Sequence, residues 1–162
     1  MLAAAPTRPR ILLIDTNLLL VLVVGSHDRS QIERFKRTRA YTADDYDLLI
    51  RFVAGFGGLV VTPNVLTEVS NLVGQLSEPL RGRVLASLAL LAVQVPERYF
   101  PSSDVVRELD FLRLGLTDVS VLLTAAEDVA VLTDDLALYL KLSALDAYVV
   151  NFNHLRTGAV GG

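Results

Sequence analysis

The chain contains no cysteine, which excludes disulfides and thiolate-bound zinc and fits the reducing cytoplasm. It also lacks any apolar run of the roughly 18 to 20 residues that a helix needs to cross a bilayer. The best candidate, Ile11 to Gly25, is interrupted by Asp15 and Asn17. Those polar residues also argue against a secretory leader, and no small-residue cleavage site follows them. A cytoplasmic protein with no membrane contact is therefore expected. There is no internal repeat and no low-complexity linker. Nor is there an excess of basic charge: the net charge is −3, which argues against a protein that merely coats nucleic acid.

What is present is a chain of 162 residues, 52% of them hydrophobic, with a mean hydropathy of +0.45. The length implies one domain over residues 1–162, with its core over 8–156. The hydropathy implies either a generous core or an apolar face covered by a partner or a second copy. The charge is unevenly placed. Between Arg29 and Arg39, five basic residues stand against one acid, a local +4, so the rest of the chain carries −7. This strip (Arg34, Lys36, Arg37 and Arg39 at its centre) lies in an irregular, basic insertion over residues 26–42. It reads either as a site for a polyanion or as a solvated loop.

Four short apolar runs read as buried strands: Ile11 to Ile14, Leu59 to Val61, Val129 to Leu132 and Tyr148 to Val150. Val93-Gln94-Val95, stopped by Pro96, reads as a weaker fifth. They are continuous rather than alternating, as in a parallel sheet covered on both faces. Helical spacing of apolar residues lies between them, over Asp44–Phe56, Pro63–Leu76, Arg81–Ala92, Asp104–Leu114, Asp118–Asp128 and Leu136–Leu145. The alternation implies an α/β domain around a mostly parallel sheet of about five strands with right-handed crossovers.

Three strands end in similar chemistry: Asp15-Thr16-Asn17, Thr62-Pro63-Asn64 and Thr133-Asp134-Asp135. In open α/β sheets the ligand crevice lies at the carboxyl ends of the strands, so these triplets should converge. Glu68, in the second turn of the helix that Thr62 caps, and Asp118, just after Thr117, lie beside apolar stripes. Taken singly, each acid has a structural explanation. Asp15 and the Asp134-Asp135 pair suit a turn and cap, Asp118 suits a helix dipole, and Glu68 could reach solvent. Together they are four acid positions at strand ends or early in the following helices, with no lysine or arginine near them in sequence. Carboxylates without basic partners repel unless they hold hard cations, and oxygen-only ligation suits magnesium or manganese. Two such ions support phosphodiester displacement without a nucleophilic side chain.

Asp15-x-Asn17 after the first strand, Thr62-Pro63-x-x-x-x-Glu68, Gly115-Leu116-Thr117-Asp118 and Thr133-x-Asp135 after a late strand together resemble the PIN domain family. The ordered set covers nearly the whole chain. The resemblance implies a three-layer α/β/α fold and metal-dependent hydrolysis of RNA. It makes Asp15, Glu68, Asp118 and Asp135 the acidic quartet, Asp134 a fifth ligand, and Asn17 and Thr133 supporting residues. It further implies a homodimer and, for the small toxins of this family, a cognate antitoxin. The basic stretch before Asp44 is longer than in such toxins. Other readings remain beside it: a non-catalytic module that binds RNA or a protein, and a metal-dependent phosphatase or phospho-acceptor domain. For a phospho-acceptor the acid pair comes late and Lys141 falls within a helix. His27 and His154 are isolated surface residues, Gly55-Phe56-Gly57-Gly58 is a helix stop, and Tyr99-Phe100 reads as core or interface.

Overall fold

The computed structural model describes residues 9–126 and 128–159. The expected core boundary at residue 8 and Glu127 within an expected helix lie outside them. Strand β1 (Ile11–Ile14) leads directly into helix α1 (Thr16–His27), which is followed by α2 (Ser30–Arg34) and α3 (Ala43–Ala54). Strand β2 (Gly58–Val60) precedes α4 (Pro63–Val73), α5 (Leu80–Gln94), the short α6 (Ser102–Val105) and α7 (Phe111–Ala125). Strand β3 (Ala130–Thr133), α8 (Leu136–Ala144), β4 (Val149–Asn151) and α9 (Phe152–Ala159) complete the described chain. All strand pairings are parallel, in the order β2-β1-β3-β4. The protein is thus an α/β structure on a four-stranded parallel sheet.

The order matters for function. From β1 the chain moves outward to β2, then returns to place β3 on the other side of β1. The reversal falls at the carboxyl ends of β1 and β3, where Asp15 and Thr133 stand, the place at which open α/β sheets commonly bind ligands. Their register is fixed by Ile14 opposite Leu132 and by the Asp15 amide donating to the Leu132 carbonyl at 2.9 Å.

Helix α1 accounts for much of the hydropathy. Leu18, Leu19, Leu20, Val21, Val23 and Val24 are all buried, so the helix is apolar around its whole circumference, as a helix enclosed by others must be. It contacts α2, α3, α4 and α5 as well as β3. Packing is close enough at Gly25 that a Cβ would overlap the Tyr46 ring and stand 2.9 Å from Ile32 Cδ1.

Three expectations need correction. Val93 and Gln94 are the last turn of α5, and Val95 caps it. Among the described residues the sheet therefore has four strands, with a single parallel bridge between Val61 and Glu97 beyond β2. The helix expected over Asp104–Leu114 is instead α6, a turn, and the start of α7, and α7 is broken at Gly115, whose φ of 83° is a left-handed conformation suited to glycine. The segment 26–42 is not irregular throughout. It holds the end of α1 and all of α2, and Ile32, Phe35, Thr38 and Tyr41 are buried at every third position. That anchoring turns Arg34, Lys36, Arg37 and Arg39 outward.

Candidate functional site

Asp15 is the N-cap of α1 and is only 6% exposed. Its Oδ1 accepts the Thr16 amide at 2.7 Å, and its Oδ2 accepts the hydroxyl of the fully buried Thr133 at 2.7 Å. The adjacent ends of β1 and β3 are thereby joined by side chains as well as backbone. Burial is the main cause that lifts the Asp15 carboxyl to about 6, with Asp134 and Asp135 adding to it and the two hydrogen bonds opposing it.

Thr62 caps α4 through its hydroxyl, which accepts the Val65 amide, and Pro63 occupies the first turn. This places Glu68 facing outward in the second turn, where two threonine hydroxyls hold it. Thr16 donates to Oε2 at 3.0 Å and Thr117 to Oε1 at 2.6 Å. Thr117 is therefore a clamp on Glu68. Ser120 adds a second link, donating to the Thr117 carbonyl and lying 3.2 Å from the Thr62 hydroxyl.

Asp118 follows the break at Gly115, so it sits in the first turn of the resumed helix. Its carboxyl is lifted to about 7, first by burial and then by the negative charges of Asp15, Asp135 and Glu68. Four carboxylates from four separate segments are thus electrostatic neighbours. Among the described residues, no lysine or arginine forms an ion pair with any of them.

The Asp134-Asp135 pair divides. Asp135 is the N-cap of α8, and its Oδ1 accepts the Leu138 amide at 2.9 Å while its own amide donates to Thr133 Oγ1. Asp134 turns towards neutral donors: the Tyr41 hydroxyl donates to Oδ2, and Asn17 Nδ2 lies 3.3 and 3.4 Å from its two oxygens. Asn17 thus supports the acids through Asp134.

Tyr41 carries no sequence signal for this role. It is buried and held by Arg156, whose guanidinium lies 4.9 Å from the ring centroid, bonds the Ala40 carbonyl and pairs with Asp45 at 2.9 Å. The basic strip ends two residues earlier, at Arg39. Arg34, Lys36, Arg37 and Arg39 are all exposed, and Arg37 is also tied to Gln75 at 2.9 Å.

Among the described residues no group of three or more histidine or acidic side chains forms a ready-made metal cage. Glu68 is held by a threonine pair and Asp135 by a helix amide, and both residues are exposed. As chemistry, an all-oxygen set with no basic counter-charge fits a hard divalent cation. Residues outside the set stay outside: Lys141 pairs with Asp110 at 2.9 Å, His27 lies 2.6 Å from the Ser87 hydroxyl, and His154 packs edge-on against Tyr139. Tyr99 is 71% exposed, so it is not core. Neither a scan against models of known protein families nor a search of curated proteins finds a match to this chain.

Proposed function

We propose that the protein is a magnesium- or manganese-dependent endoribonuclease with a PIN-like, three-layer fold. The observation that carries this reading is the gathering of Asp15, Glu68, Asp118 and Asp135 at the reversal of a parallel sheet. There burial first and then the charges of the other three lift Asp118, and no lysine or arginine forms an ion pair with them among the described residues. Like charges are costly to collect in one place, and a hard cation is the partner their oxygens suit.

Asp15, Glu68, Asp118 and Asp135 would hold the metal. When bound, divalent ions supply Lewis acidity and an activated water for in-line displacement at phosphorus. The chain's own contribution is orientation. Thr133 fixes Asp15, Thr16 and Thr117 fix Glu68, and the break at Gly115 sets the start of the helix that bears Asp118. Tyr41 and Asn17 hold Asp134 at the rim. Arg34, Lys36 and Arg39 extend from the segment that ends at Tyr41 and supply phosphate contacts along the RNA. By the family resemblance a second copy and an antitoxin are further candidate partners.

The test is incubation of the purified protein with mixed RNAs and manganese, with and without chelator. Cleavage that the chelator stops is expected. Turnover of a phosphomonoester with no RNA cut would replace this reading with a phosphatase, and RNA binding without cleavage would replace it with a non-catalytic module. In the same preparation, replacing Arg34, Lys36 and Arg39 with Gln should flatten the dependence of RNA affinity on salt, because fewer counterions are released. An unchanged slope would mean the strip is only solvated.

A further inference from the structure

Beside the acids lies a cavity of about 640 Å³, within the roughly 300 to 1,000 Å³ of small-ligand sites. One part of its lining carries Glu68 and Asp118, and another is apolar, with Phe111, Leu114 and Leu116. A Cβ at Gly115, also in the lining, would meet nothing within 4 Å. The break in α7 therefore faces open space.

Asn64 and Thr67 of α4 give this cavity a polar edge. Neither side chain is engaged in a hydrogen bond among the described residues, so an amide and a hydroxyl remain free to donate and accept. No lysine or arginine is in the described lining. With its two acids assigned to the metal and no basic side chain in the rest of the described lining, that remaining wall suits an uncharged group. An apolar wall with an aromatic ring suits a flat face, and an uncommitted amide suits a hydrogen-bonding rim. Both are features of a nucleobase. An apolar side chain of a protein partner would fit the wall but would cover Asn64 and Thr67 without satisfying them, at a cost.

We propose that this cavity seats one unpaired nucleobase of the RNA substrate, next to the phosphodiester that the carboxylates process. The assignment rests on the RNA-hydrolysis reading above. Phe111 offers the stacking face and Asn64 the edge that discriminates among bases.

Binding of free nucleosides separates this proposal from catalysis. Saturation-transfer NMR on the metal-free full chain would use adenosine, guanosine, cytidine, uridine and, for comparison, N-acetyl-leucinamide. At least one nucleoside should bind. Phe111→Leu, which keeps apolar volume, should weaken it roughly tenfold, and Asn64→Ala should change the ranking of the four. Thermal melts establish that both variants fold. Sequencing the ends cut from a random RNA pool should show a preference at one position beside the cut, altered by Asn64→Ala. Binding of the leucinamide and of no nucleoside overturns the proposal, as does nucleoside binding unchanged in both variants. Nucleoside binding without RNA cleavage leaves the base site standing and removes the hydrolysis reading. Cleavage with no nucleoside bound and no positional preference does the reverse.

Discussion

Asp135→Asn should lower RNA cleavage as severely as Asp118→Asn, by more than about a hundredfold, while Asp134→Asn should be milder, at about ten- to a hundredfold. Losing a residue that merely orients a metal ligand typically costs 10- to 100-fold, and losing a ligand costs more. The two neighbouring aspartates fall on opposite sides of that line. Asp135 spends one oxygen on the Leu138 amide and is raised in importance by its coupling to Asp118. Asp134 is occupied by Tyr41 and Asn17. An amide at position 134 still accepts from the Tyr41 hydroxyl, so the segment behind it stays docked. The ligand variants should lose kcat and kcat/KM together, as expected for an interaction made in the transition state. Single-turnover cleavage at saturating manganese compares the three. A dead Asp134→Asn beside an active Asp135→Asn would reverse the roles given to the pair.

How far the sequence reaches is clearest at the strand ends. Continuous apolar runs located β1 to β4 because a buried parallel strand needs nothing else, and the polar residues that stop those runs had to lie at the sheet's carboxyl edge. Asp15, Thr133 and Asp135 were legible for that reason. Val93-Gln94-Val95 failed because three residues of alternating polarity fit the end of a helix as well as a strand. The interruption at Gly115 was legible, since the helices expected to end at Leu114 and to begin at Asp118 leave residues 115–117 between them. The clamps on the acids were out of reach altogether. Thr16 and Thr117 meet Glu68 from 52 and 49 residues away, and Tyr41 reaches Asp134 across 93. No local pattern encodes such pairings. Helix α9 was missed because, apart from the fully buried Phe152, its leading residues are largely polar.

The metal-free protein should lose thermal stability as pH rises from about 4 to 7, and manganese should restore it most at the upper end. Asp15 and Asp118 have folded values of about 6 and 7, above the value near 3.9 of an unfolded aspartate. Between those limits the native state holds more protons than the unfolded chain, so stability falls with rising pH. The favourable contribution is complete below pH 4, is lost as pH rises through the folded values of about 6 and 7, and levels off about one unit above the higher of them. A divalent cation needs these carboxylates ionised, so it competes with the protons. Its stabilisation should be small at pH 5 and large at pH 7.5, where a ligand at about 100 times its dissociation constant contributes roughly 2.7 kcal/mol. Asp118→Asn should flatten the decline in the metal-free protein and shrink the manganese shift, because an amide neither titrates nor repels its neighbours. Melts of wild type, Asp15→Asn and Asp118→Asn across this range, at constant ionic strength, measure both effects. The difference between proteins isolates these two carboxyls from every other group that titrates. Equal manganese shifts in all three would place the ion away from Asp15 and Asp118, and a wild-type profile no steeper than that of the variants would mean that the two acids are not held against their charge.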